Sequence, residues 1–132
     1  MRRKGRNGKP KLAAVSSFHT VWGYTAIAVS GIVGLWGVVG RDREPGRVFG
    51  WAVGVSIAAL LIQVVSGVVM YSGGTDPGNQ HVFYGVVIAV TLSFVYIYRP
   101  QFRKRPMLYY GLALLFSMGL AIRGIQTFGV NF

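Results

Sequence analysis

The chain has no cysteine, which excludes disulfides, iron–sulfur clusters and thiolate metal sites. Acidic residues are almost as scarce: Asp42, Glu44 and Asp76 are the only three in 132 residues. All three lie between long apolar runs and none lies inside one. A proton relay or cation-coupled transporter normally needs a carboxylate within the membrane, so that class is disfavoured. Hydrolysis lacks a nucleophile–base–acid set. Histidine is limited to His19 and His81. A zinc site wants three or four ligands, and two imidazoles with Asp76 fall short of that.

What the chain does have is hydrophobic length. Hydrophobic residues make up 52% of it and charged residues 13%. Residues 12–40, 48–71, 81–98 and 107–128 form four stretches in which Arg123 is the only charge. A helix crosses a bilayer with about 20 apolar residues and a minimum of about 17. Backbone polar groups cannot be left unpaired in lipid, so the segments should be helical. They are apolar on all sides, whereas a helix of a soluble bundle shows a polar stripe. The expectation is an all-α, polytopic membrane protein, a four-transmembrane-helix bundle with spans near 14–40, 48–71, 81–98 and 107–128. These form one domain, 12–132, behind a basic, mobile N-terminal tail, 1–11. The first run exceeds the roughly 7–15-residue core of a signal peptide and shows no convincing cleavage site, so it reads as a retained span.

The net charge of +11 would suggest nucleic acid in a soluble protein. Apart from Arg123, the cations lie outside the spans: Arg2, Arg3, Lys4, Arg6, Lys9 and Lys11 in the tail, Arg41, Arg43 and Arg47 in the first loop, and Arg99, Arg103, Lys104 and Arg105 in the third. Such residues bind anionic lipid headgroups and set topology, which makes the lipid bilayer the expected partner and nucleic acid the weaker one. The tail favours a cytoplasmic N-terminus; the short basic loops favour the reverse.

The two histidines open an internal repeat. His19-Thr20-Val21-Trp22-Gly23 is echoed by His81-Val82-Phe83-Tyr84-Gly85, each at the start of an apolar run. The second and fourth runs open on a weaker match, Val48-Phe49-Gly50 and Tyr109-Tyr110-Gly111. Two repeated helical hairpins would run helices one and three in the same direction, bringing both imidazoles to one face of the membrane. Residues three or four apart share a helix face, so Gly23 and Gly85 lie one turn below the histidines. A glycine there removes the side chain that would keep a flat macrocycle off the helix. Trp22 and Tyr84 would pack on its rim or anchor the helices at the interface.

Bis-histidine ligation of haem needs just two imidazoles, on opposite sides of the ring, with the potential tuned by burial and by hydrogen bonds at the unligated nitrogens. By elimination haem b is the cofactor best matched to this inventory, with His19 and His81 on the iron and Gly23, Gly85 and Arg123 lining its site. Arg123 would pair with a haem propionate, or else snorkel to the headgroups. Gln63, the only amide or charged residue within the second run, would bond to a neighbouring helix or serve a quinone or an axial ligand. Met70 and Met118 read as packing rather than as thioether ligands. Gly31, Gly34 and Gly37, and the Gly50–Gly54 pair, let membrane helices approach closely, within the bundle or against a partner.

The chain resembles the small four-helix bacterial membrane proteins labelled cytochrome-b-like. The likeness rests on Phe18-His19-Thr20-Val21-Trp22, on the run Leu60-Leu61-Ile62-Gln63-Val64-Val65-Ser66-Gly67-Val68-Val69-Met70-Tyr71, on the polar loop leading into His81, and on the basic third loop followed by Leu108-Tyr109-Tyr110-Gly111-Leu112-Ala113-Leu114-Leu115. It implies a bacterial cytoplasmic membrane and an electron-transfer role. Some relatives carry a further histidine where this chain has Gln63, so a second haem would lack that ligand. Three functions remain open at this level: a haem-b electron carrier, a cofactor-free accessory subunit of a larger respiratory-type membrane complex, and a small transporter or ligand-binding bundle with Gln63 and Arg123 lining a cavity. The first two, in which the chain is no enzyme, fit best. Other membrane subunits or a homo-oligomer are the expected protein partners.

Overall fold

The computed structural model describes the backbone of residues 2–132 and the side chains of residues 13–132. The segment expected as a mobile tail, 1–11, is helical in its backbone from Arg2 and continuous with α1; its side chains lie outside the described residues. Five helices follow in order: α1 (Arg2–Val39), α2 (Arg47–Ser72), α3 (Asn79–Ile97), the short α4 (Arg99–Phe102) and α5 (Pro106–Gln126), with no strand among the described residues. Four of them are long and apolar enough to cross a membrane, at Ala13–Val39, Arg47–Ser72, Asn79–Ile97 and Pro106–Gln126. The protein is therefore all-α and a multi-pass membrane protein.

The helix ends follow from local chemistry. Pro106 opens α5, where its missing N–H costs nothing and its fixed φ suits a first turn. Gly73 ends α2 by returning its N–H to the carbonyls of Val69 and Met70. The following Gly74, with φ +96°, turns the chain in a conformation that side chains disfavour. Outward faces are as apolar as the core: Val21, Ile32, Val48, Trp51, Val86 and Tyr96 are all exposed. Patches of that extent do not face water on a soluble monomer; here they face lipid.

Each hairpin packs on itself, α1 with α2 and α3 with α5, as duplication predicts. The two seams between the hairpins are unlike. Along α1 and α5 the backbones meet almost directly. A Cβ at Gly37 would stand 2.5 Å from the Met107 carbonyl oxygen and 2.8 Å from Gly111 Cα, and one at Gly111 would stand 2.8 Å from the Gly34 carbonyl oxygen. Gly31 makes room for the Met118 sulfur in the same seam. Buried Ser30 and Ser117 continue the small-residue packing that lets membrane helices approach. Along α2 and α3 contact is brief, and a Cβ at Gly85, which lines the space between them, would meet nothing within 4 Å. The bundle is closed on one side and parted on the other. The parting is a cavity of about 400 Å³.

At the end of the bundle away from the histidines, the first and third loops meet. Arg105 reaches Asp42 at 3.4 Å with both side chains largely exposed. An ion pair so solvated adds little stability; it registers the two basic loops on one face of the membrane.

Candidate functional site

His19 on α1 and His81 on α3 belong to helices that sit diagonally across the bundle and whose backbones make no close approach among the described residues. Their rings nevertheless meet, with centroids 6.1 Å apart and planes inclined at 71°. Both line the cavity, together with Gln63, Gly67, Tyr84 and Gly85. The repeat and the shared direction of α1 and α3 are what bring them to one level.

Each imidazole is oriented by a bond at its Nδ1. Ser66 Oγ donates to the Gln63 carbonyl at 2.9 Å, so it accepts from His19 Nδ1–H at 2.7 Å. That tautomer leaves a lone pair on His19 Nε2, which takes the Gln63 amide Nε2–H at 3.3 Å. Glycines make this arrangement fit. A Cβ at Gly67 would stand 3.1 Å from His19 Cε1, and one at Gly23 would stand 2.8 Å from Gln63 Nε2. Gly23 therefore houses the Gln63 carboxamide, and that stretch of α1 is covered by an α2 side chain. Gly85 differs: its open side faces the cavity, where a Cβ would meet nothing within 4 Å.

His81 Nδ1 donates to the Gly124 carbonyl at 2.7 Å. This acceptor exists because α5 tightens at its end. The Phe128 N–H turns to the Ile125 carbonyl rather than to that of Gly124, leaving the Gly124 carbonyl without a backbone donor, as at other helix C-termini; the Thr127 hydroxyl reaches it only at 3.3 Å and bonds more closely to the Arg123 carbonyl at 2.7 Å. Such carbonyls carry the negative end of the helix dipole and suit an imidazole N–H. His81 Nε2 then holds a lone pair, with no hydrogen-bond partner among the described residues. Both imidazoles are thus set as Nδ1–H tautomers with basic Nε2 atoms.

The other expected residues are distributed around this pair. Arg123 is exposed and outside the cavity lining. Its guanidinium lies 5.8 Å from the centre of the Tyr84 ring and donates to Gln126 Oε1 at 3.2 Å. Met70 is buried and lines the cavity, whereas Met118 packs against Gly31 in the closed seam. Trp22 stacks on Phe18, and its Nε1 donates to the Ala59 carbonyl at 2.8 Å, tying α1 to α2. Ser66 and Gly124 were not singled out from the sequence. Ser66 had a readable signal, lying three residues after Gln63 and so on its face; Gly124 had none.

No group of three or more His, Cys, Asp or Glu side chains is placed to hold a metal ion among the described residues. A bare ion at the histidine pair would lack the three or four protein ligands that zinc takes. No family model, no curated protein and no solved structure matches the chain.

Proposed function

We propose that the protein is a haem-b electron carrier of a bacterial cytoplasmic membrane, in which His19 and His81 would hold the haem iron. The observation that carries this reading is the pairing of two Nδ1-anchored imidazoles across the bundle at 6.1 Å. Two imidazoles this close could both serve one haem iron held between them.

The residues present fit the group. Two neutral imidazole nitrogens are the donor set a haem requires from its protein. The cavity of about 400 Å³ lies within the roughly 300–1,000 Å³ of ordinary cofactor sites, and Gly85 leaves a bare wall that a Cβ would fill. When bound, haem supplies one-electron exchange at its iron. The chain's own part is orientation and environment. Ser66 and the Gly124 carbonyl hold the Nδ1 protons, which fixes the rings and raises the basicity of Nε2. Gln63 holds the His19 lone pair by the longest bond of the group, 3.3 Å, and is the partner that a bound haem would replace. Apolar walls from α2 and α3 exclude water and so tune the potential. Arg123, exposed beside Tyr84, is the cation available to an outward propionate.

The test is the visible spectrum of the protein purified in mild detergent, oxidised and then reduced with dithionite. A haem-b α-band that vanishes in both His19→Ala and His81→Ala is the expected result. An unaltered band in either variant removes this ligand pair. A chain that carries no haem and copurifies with stoichiometric membrane subunits supports the accessory-subunit reading instead.

A further inference from the structure

The start of α3 has no side-chain cap of its own, so its first amide groups need other partners. They find them in the segment that follows α5. The Asn79 N–H donates to Asn131 Oδ1 at 2.9 Å, and the Gln80 N–H to the Val130 carbonyl at 3.1 Å. The bonding is reciprocal: the Phe132 N–H donates to Asn79 Oδ1 at 2.8 Å, and the Gly129 N–H to the Pro77 carbonyl at 2.7 Å.

The loop is shaped for this contact. Gly78 has φ +85°, and a Cβ there would stand 2.7 Å from the Val130 carbonyl oxygen. Its N–H is held by Asp76 Oδ1 at 3.0 Å. Pro77 and Gly78 are consequently buried, although they belong to a polar loop. The same segment carries Phe128 edge-on against the His81 ring at 5.4 Å and Phe132 against Phe83 at 5.7 Å. It continues directly from Gly124, whose carbonyl accepts from His81 Nδ1. His81 lies in the first turn of α3, yet it is only partly exposed.

We propose that Asn79 and Asn131 are positioning residues for His81. By pinning segment 127–132 across the start of α3, they hold the Gly124 carbonyl and the Phe128 ring against the imidazole, and so set its depth and screen it from water. The bearing of this clasp on haem rests on the function proposed above; its bearing on His81 does not.

The test uses the full chain in mild detergent, with histidine C2 hydrogen–deuterium exchange read separately at each imidazole by mass spectrometry. Asn131→Ala and Asn79→Ala are expected to speed exchange at His81 about two- to tenfold, the change in open population that follows from losing one hydrogen bond. His19, bonded to α2, serves as the internal reference and keeps its rate. Asn131→Asp retains an oxygen acceptor for the Asn79 N–H and restores the slow rate at His81. An unchanged His81 rate in Asn131→Ala overturns the proposal, and so does an equal rise at both histidines, which would report general loosening. In haem-loaded protein, Asn131→Ala is expected to shift the midpoint potential and Asn131→Asp to leave it near wild type. A wild-type chain free of haem removes the haem reading alone, and the exchange rates then decide the clasp.

Discussion

Gly111→Ala is expected to be among the most damaging single-methyl changes in the chain, at about 3 kcal/mol, the upper end of the usual cost of overpacking. The added Cβ would meet the Gly34 carbonyl oxygen at 2.8 Å, the Val38 nitrogen at 2.9 Å and the Gly37 carbonyl carbon at 3.0 Å. These are backbone atoms in the last two turns of α1, so none can turn aside as a flexible side chain would. Relief requires α1 and α5 to separate, which also loosens packing around buried Leu114 and Ser117. Gly54→Ala is the matched control, because its Cβ would meet nothing within 4 Å. It should change stability by no more than about 0.5 kcal/mol. Unfolding of both variants in mild detergent measures the contrast. Equal stability of the two would show that the α1–α5 seam is not packed as described.

The second large effect is a split between two neighbours of His19. Ser66→Ala removes the acceptor of the Nδ1–H and is expected to weaken haem binding about 10- to 100-fold, the usual consequence of losing an outer partner of a ligating histidine. Gln63→Leu removes the group that competes for the Nε2 lone pair, so haem affinity should hold or rise. A histidine that served only as a core hydrogen-bonding group would respond alike to both losses, through stability. Titration of haem-free protein with haem, followed by absorbance, separates these outcomes. A fall in Gln63→Leu as deep as that in Ser66→Ala would count against Nε2 as the ligating atom.

Much of the fold is legible in the sequence. The spans expected at 14–40, 48–71, 81–98 and 107–128 correspond to helices at Ala13–Val39, Arg47–Ser72, Asn79–Ile97 and Pro106–Gln126. Spans are read from the local absence of charge, and bilayer thickness sets their length. The short α4 was missed because Arg99–Phe102 has neither the length nor the periodicity to announce a helix. Gln63 was expected to reach a neighbouring helix, and it does reach His19 on α1. A lone amide in lipid must find a partner, which is why its use could be anticipated and its particular partner could not. The space one turn below His19 was read as room for a flat ring. In the structure Gln63 occupies it, since a glycine shows only that space exists and not what fills it.

The sequence by itself determined that four helices cross a membrane, that α1 and α3 run the same way, and that His19 and His81 therefore share a level. Length, polarity and direction are properties of one segment at a time, and the bilayer reads them without reference to neighbours. Tertiary structure alone decided the rest. Gly37 and Gly111 close one seam while Gly54 and Gly85 face open space, although nothing in their immediate sequence distinguishes them. A glycine's role depends on the backbone opposite, and in this bundle that backbone belongs to a helix far away in the chain. The hydrogen-bond partners of the two histidines are decided in the same way, by a serine on α2 and by a carbonyl near the end of α5.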